Sequence, residues 1–196
     1  MADELALNTA QKEVFDKIVG GKRGKLLGPF RALLHSPELA DRTQLLGEFV
    51  RYDSSLPAAL SELAILCIAR YWNCRQEWSI HAGFAEAAGL DPEIINAISQ
   101  AQVPAFEDPL QIAVYEYCRE LLAFGRLSDT VYRHAREVLA DRGLIELTGL
   151  IGYYTMLAFT LNAHQVPLDD NTDLLTELED DSESLSPTLL PPAIDR

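Results

Sequence analysis

Helix starts and helix stops follow one another along this chain at helix-length intervals, and nothing between them alternates with the two-residue period of a strand. Pro37, with Ser36 as N-cap, opens a segment running to about Tyr52, and Pro57 stands in the first turn of a helix through Ala69. Asn73 marks a break. The next helix runs to Gly89, where a left-handed C-cap is expected, and Asp91-Pro92-Glu93 restarts the chain. Pro109 to Phe124 repeats that pattern and is closed by Gly125. Ser128 or Asp129 begins a helix to Arg142, Gly143 follows, and a last helix from Leu144 ends near Asn162 before Pro167. The expectation is an all-α domain of about seven to nine helices.

Charge and composition narrow what such a domain does. The net charge is −14, but from Asp169 onward nine acidic residues face Arg196 alone, so much of the acidity belongs to the tail. That tail, 169–196, also carries serines and prolines and reads as a solvated, flexible segment; Leu174, Leu175 and Leu178 offer the alternative of docking on a neighbouring subunit. Nucleic acid is not an expected partner, because the chain has no basic patch for phosphate. Nor is a membrane: the most apolar run, Leu144 to Leu161, contains Glu146, two glycines and two tyrosines and reads as a buried core helix. The start, Met1-Ala2-Asp3-Glu4-Leu5, is acidic and unlike a signal peptide. Cys67, Cys74 and Cys118 have neither disulfide-framework nor zinc-site spacing, so a reduced, cytoplasmic location is expected.

Four ionisable residues carry the chemistry. Cys74, Glu77 and His81 stand at i, i+3 and i+7, which on a helix at about 100° per residue is an arc of roughly 60°. Glu62 lies twelve residues before Cys74, and the break at Asn73 lets the two helices fold back as a hairpin. Ile65, Leu66 and Ala69 share the helical face of Glu62, which points that carboxylate into the packed side and raises its pKa by burial; the alternative is a helix-start carboxylate facing water. Cys74 is expected in the first turn of its helix, where the dipole lowers a thiol pKa. Glu77, four residues before His81, is expected to orient the ring. Ser61-Glu62-Leu63 and Ile145-Glu146-Leu147 are weakly alike, but one match does not establish a repeat.

The spacing of Glu62, Cys74, Glu77 and His81 resembles the active-site signature of the alkylhydroperoxidase D-like family, which includes the carboxymuconolactone decarboxylases. The flanking Glu62-Leu63-Ala64-Ile65-Leu66 and Asn73-Cys74-Arg75-Gln76-Glu77, and the later Gly149-Leu150-Ile151-Gly152-Tyr153-Tyr154, support the likeness. It divides the chain into an N-terminal helical extension (1–27), the family-like helical domain (28–168) and the acidic tail. The resemblance implies trimers or hexamers with sites near subunit contacts. It also implies a departure: the peroxidase branch has a Cys-x-x-Cys pair, and Glu77 stands where its second cysteine would be. A carboxylate cannot close a disulfide, Cys67 sits in an apolar run, and Cys118 is distant from Cys74 in sequence.

The expected function is therefore that of the decarboxylase branch: cofactor-independent acid–base chemistry, as a lyase or isomerase, on a small unsaturated lactone or carboxylic acid. His81 is the expected proton carrier, Glu77 its orienter and Glu62 a second acid or base. Cys74 either donates a weak hydrogen bond or fills space, and Trp78 either walls the substrate pocket or packs in the core. A thiol peroxidase using Cys74, a lactone hydrolase and a non-catalytic oligomeric binding protein are the alternatives. No cofactor and no metal are expected, since Glu77 and His81 supply two ligands and a third must come from Glu62. Of the other histidines, His35 reads as a helix cap, His134 as exposed, and His164 as a candidate for the pocket border. A substrate carboxylate would want a cation, and Arg31, Arg51 and Arg70 are the nearest in sequence, with none selected by spacing.

Overall fold

The computed structural model describes residues 7–167 and 186–194, and among them every regular element is helical. Eight α-helices follow in order: α1 (Thr9–Gly20), α2 (Gly28–Leu33), α3 (Pro37–Glu48), α4 (Ala58–Tyr71), α5 (Arg75–Ala87), α6 (Pro92–Ser99), α7 (Pro109–Phe124) and α8 (Asp129–Ala163). A π-helical turn, Phe49–Asp53, extends α3.

The caps explain most of these boundaries. Asn8 and Gln11 form a reciprocal capping box at the start of α1. Asp91, Asp108 and Ser128 each accept a backbone N–H of the helix they open, and Pro92 and Pro109 sit in the first turn, where no N–H is missed. Gly125 closes α7 at φ 66°, and Gly89 follows α5 at φ 88°. Ser36 occupies the N-cap position of α3 without a capping hydrogen bond, and Pro57 is the N-cap of α4 rather than part of its first turn.

Helix α4 is the axis of the molecule. Every residue from Leu60 to Ala69 is buried, because α4 is surrounded by α5, α7 and α8. Each aliphatic side chain so removed from water contributes about 1.5–3 kcal/mol. A lone carboxylate in the same helix would cost several kcal/mol, so the buried Glu62 requires partners.

At the end of α4 the chain reverses at Asn73, which adopts the left-handed conformation (φ 49°), and the Cys74 N–H reaches back to the Ala69 carbonyl at 2.8 Å. Helices α4 and α5 thereby form a hairpin. Arg70 braces it, donating through Nε to the Ser99 carbonyl at 2.7 Å and through Nη1 to Thr188 Oγ1 at 2.9 Å.

Two expectations change here. The break expected at Gly143 lies at Ala140 (φ 56°), and Gly143 is buried within the continuing helix. Helix α8 is long and apolar enough to cross a membrane by length and composition, and its apolar window is 56% buried inside the domain, against α4 and α7. The other correction concerns the end of the tail. Residues 186–194 lie on the body of the domain: the Thr188 N–H donates to the Tyr71 carbonyl (2.9 Å), the Tyr115 hydroxyl donates to the Pro191 carbonyl (2.8 Å), and Leu190 is buried. Apolar residues in that stretch, with no charge between Ser186 and Ile194, supply the reason. Residues 1–6 and the acidic stretch 168–185, including Leu174, Leu175 and Leu178, fall outside the described residues.

Candidate active site

The α4–α5 hairpin brings Glu62 to His81. His81 Nδ1 lies 2.6 Å from Glu62 Oε2, and Nε2 lies 3.3 Å from Glu77 Oε2 one turn earlier on α5. All three side chains are buried. The nearer partner is therefore Glu62, across the hairpin, not Glu77 on the same helix. With Nδ1–H donating to Glu62, the Nε2 end of the ring is the one beside Glu77. Tyr154 of α8 packs edge-on against the imidazole with ring centroids 5.1 Å apart.

Burial opposes a charged imidazolium, but the hydrogen bonds and negative charges of Glu62 and Glu77 outweigh it and hold His81 above the ordinary histidine range. Burial pushes the Tyr154 hydroxyl well up, and it pushes Tyr153 up to about 12. Both phenols stay protonated and can donate.

A small cleft, partly open to solvent, meets this cluster. His81, Glu77 and Tyr154 line it, with Arg23 and Arg51 and an apolar remainder that includes Leu27, Phe30 and Ile80. Glu62 does not line it. The histidine thus turns one nitrogen toward a buried carboxylate and the other toward the carboxylate on the cavity wall. Glu77 Oε1 is buried and has no hydrogen-bond partner among the described residues. Such a set can hold a proton on His81, deliver it from Nε2 to an atom in the cavity, and receive one at Glu77.

Cys74 and Trp78 are placed elsewhere. Cys74 is the N-cap residue of α5, one position before its first turn, and packs with Ala158, Leu161 and Val166 in a small apolar cluster away from the cavity lining. Burial raises its thiol pKa strongly and Glu77 adds to the rise, whereas the backbone N–H groups at the helix start pull the other way and lose. The expected activation by the helix dipole is overturned by desolvation. Trp78 is among the largest fully buried side chains of the main core and does not line the cavity.

The remaining expectations sort by location. Cys67 and Cys118 are fully buried in the main core, against each other across α4 and α7, and belong to a different cluster from Cys74. His35 is exposed beyond α2, His134 is half-buried on α8, and His164 is exposed at the end of α8, off the cavity. Glu146 is occupied by the Ser55 N–H (2.6 Å) and Arg142 Nε (2.7 Å), so its likeness to Glu62 stops at the apolar helix. Among the described residues, no group of three His, Cys, Asp or Glu side chains is disposed to hold a metal ion.

Of the candidate arginines, only Arg51 reaches the cavity. Arg23 and Tyr154 were not candidates from sequence. Arg23 lies in a Gly- and Lys-rich link without a motif, whereas Tyr154 falls inside the Tyr153-Tyr154 phrase and was legible as part of it.

The fold is the alkylhydroperoxidase D-like helical one, and solved structures share it. A structure titled as an uncharacterized peroxidase-related protein from Silicibacter sp. TM1040 matches with a TM-score of 0.71 at 13% identity, covering 87% of this chain and 90% of that one. The debrominase Bmp8 matches in its apo form at TM-score 0.71 and 14% identity, over 91% of this chain and 96% of that one. Its C82A variant in complex with 2,3,4-tribromopyrrole matches at TM-score 0.72 and 14% identity, over 91% and 95%. The Carboxymuconolactone decarboxylase family matches residues 37–120, the segment that holds Glu62, Cys74, Glu77 and His81. Over that segment the chain is similar to this family. No curated protein sequence matches it.

Proposed function

We propose that this chain is a cofactor-independent acid–base enzyme of the carboxymuconolactone decarboxylase type, a carboxy-lyase or isomerase acting on a small unsaturated lactone or carboxylic acid. The observation that carries the reading is His81 held between Glu62 at 2.6 Å and Glu77 at 3.3 Å, with His81 and Glu77 on the wall of one cavity. In a decarboxylation the bond to the departing carboxylate breaks, CO₂ leaves, and its electron pair remains in the substrate as a dienolate. His81 Nε2–H then protonates a carbon of that dienolate, and solvent restores the proton. In an isomerisation Glu77 takes a proton from one carbon, His81 Nε2–H gives one to another, and the proton on Glu77 then passes to Nε2 at 3.3 Å, which restores both groups. Glu62 keeps the ring oriented throughout.

The thiol alternative has less support. Cys74 is buried, its thiolate is disfavoured, and it sits off the cavity. The trimeric or hexameric assembly of the family belongs to the same proposal. Leu46, Phe49 and Tyr52 stand at i, i+3 and i+6 along α3 and its π-helical turn, are 48%, 42% and 40% exposed, and make an apolar strip that a second copy of the chain would cover.

The test is an assay of the purified full chain on a panel of unsaturated lactone acids and on alkyl hydroperoxides. CO₂ release or double-bond migration that falls on the order of 10²- to 10⁴-fold in His81→Asn, with Glu62→Gln also impaired and Cys74→Ala nearly unaffected, is the expected result. Thiol-dependent peroxide turnover abolished by Cys74→Ser would overturn it.

A further inference from the structure

Arg23 and Arg51 share the cavity with His81 and Glu77, and the contacts each makes leave donors uncommitted. Arg23 lies in the link between α1 and α2, outside the family-matched segment. Its Nη2 donates to the Tyr153 hydroxyl at 3.2 Å and to the Gln44 carbonyl at 3.4 Å, and its guanidinium lies 4.8 Å over the Phe30 ring. Its Nε is buried without a hydrogen-bond partner among the described residues. A buried donor on a charged group that no protein atom satisfies is costly, and ligand sites are where that cost is repaid.

Arg51 is aimed by the π-helical turn Phe49–Asp53, a local widening of the helix common at functional sites. Its guanidinium lies 4.5 Å over the Phe84 ring and 5.2 Å over Tyr52. It approaches the Glu62 carboxylate only to 3.8 Å, longer than a hydrogen bond. Part of its charge offsets Glu62, while its planar face is fixed by the rings and its donors remain for a planar acceptor.

We infer that Arg23 and Arg51 form an anion subsite that holds a carboxylate of a small organic acid and presents its apolar, unsaturated body to His81. Two guanidinium groups on the wall of a cavity otherwise lined largely by aliphatic and aromatic groups select one charged end and one apolar end. The chemistry at His81 rests on the acid–base reading above; the subsite rests on the cavity alone. The geometry also sets which carboxylate sits there. Guanidinium contacts stabilise the ground-state charge and hold back its loss as CO₂, so the carboxylate in this subsite is one the reaction keeps. A substrate with that single carboxylate is isomerised, and a substrate that is decarboxylated carries a second one nearer His81.

The experiment is calorimetric titration of the full chain with benzoate and with its neutral isostere benzamide, in wild type, Arg23→Met, Arg51→Met and Arg51→Lys. Benzoate is expected to bind at least tenfold more tightly than benzamide. Each methionine variant is expected to weaken benzoate on the order of tenfold to a hundredfold and leave benzamide unchanged, with Arg51→Lys recovering part of the loss. Thermal unfolding of each variant guards against a general loss of structure, and the lysine variant, which keeps charge and bulk, decides if a methionine variant unfolds. Benzoate and benzamide binding alike, no benzoate binding by wild type, or benzoate affinity unchanged in both methionine variants overturns the subsite. Carboxylate binding as expected without turnover of any lactone acid leaves the subsite standing and removes the acid–base reading; His81-dependent turnover indifferent to both arginines does the reverse.

Discussion

His81 has two carboxylate neighbours at unequal distance, and its protonation follows from that inequality. Glu62, at 2.6 Å, is the stronger influence, so Glu62→Gln is expected to lower the His81 titration midpoint more than Glu77→Gln does, as read by NMR of the ring nitrogens. The sign for stability follows from linkage. A histidine whose folded pKa is raised above its unfolded value of about 6.5 adds stability that is fully present below that value and lost as pH rises through the folded pKa. The stability of wild type relative to His81→Asn, from urea unfolding, is therefore expected to be greatest at acid pH and to shrink above the His81 midpoint. At this scale the sequence was informative about which residues meet and less so about how. Glu62, Glu77 and His81 could be grouped because helical spacing and one break bring them together. Cys74 and Trp78 could not be placed, because an N-cap residue leaves the helical arc and the burial of an indole depends on neighbours remote in sequence.

Elements whose ends are written in cap chemistry were legible: Asp91, Pro109 and Gly125 bound α6 and α7 where their side chains and φ angles require. The π-helical turn after α3 and the break at Ala140 carry no such residue, since both arise from packing rather than from a local preference. The join of α3 to α8 shows how packing of this kind positions the cavity. A Cβ added at Gly47 would collide with the Tyr153 hydroxyl and the Arg23 guanidinium, so the absence of a side chain on α3 is what lets Arg23 reach Tyr153. Gly47→Ala forces that pair to shift, with an expected loss of about 1–3 kcal/mol in chemical denaturation despite the helix propensity gained. Displacement of Arg23 also predicts weaker benzoate binding in the same variant.

Over the whole molecule, the chain binds its own far end at the hairpin that builds the site. Arg70 and Asn73 form the α4–α5 reversal, and the Thr188 hydroxyl donates to Asn73 Oδ1 at 2.9 Å while accepting from Arg70 Nη1. Further along the same segment, Glu116 on α7 accepts the Ala193 N–H and pairs with Arg119 at 2.8 Å. The segment 186–194 therefore ties the end of α4 and the reversal at Asn73 to α7. Its tail composition hid this in the sequence, because the acidic run before it dominates any reading of charge, whereas the contacts depend on Leu190, the Thr188 hydroxyl and backbone groups. Removal of residues 186–196 exposes the apolar surface beneath Leu190 and unties the hairpin reversal, while every cavity-lining residue remains in the chain. Loss of one buried leucine alone sets a cost of about 1.5–3 kcal/mol. The truncated chain is expected to stay folded, with a lower unfolding midpoint in urea by that amount or more. If Thr188 holds the reversal in place, Thr188→Val in the full chain reproduces part of the loss, and backbone amide exchange at Asn73 and Cys74 speeds up before exchange in the middle of α7 does; unchanged exchange at the reversal would show that the segment is a passive cover.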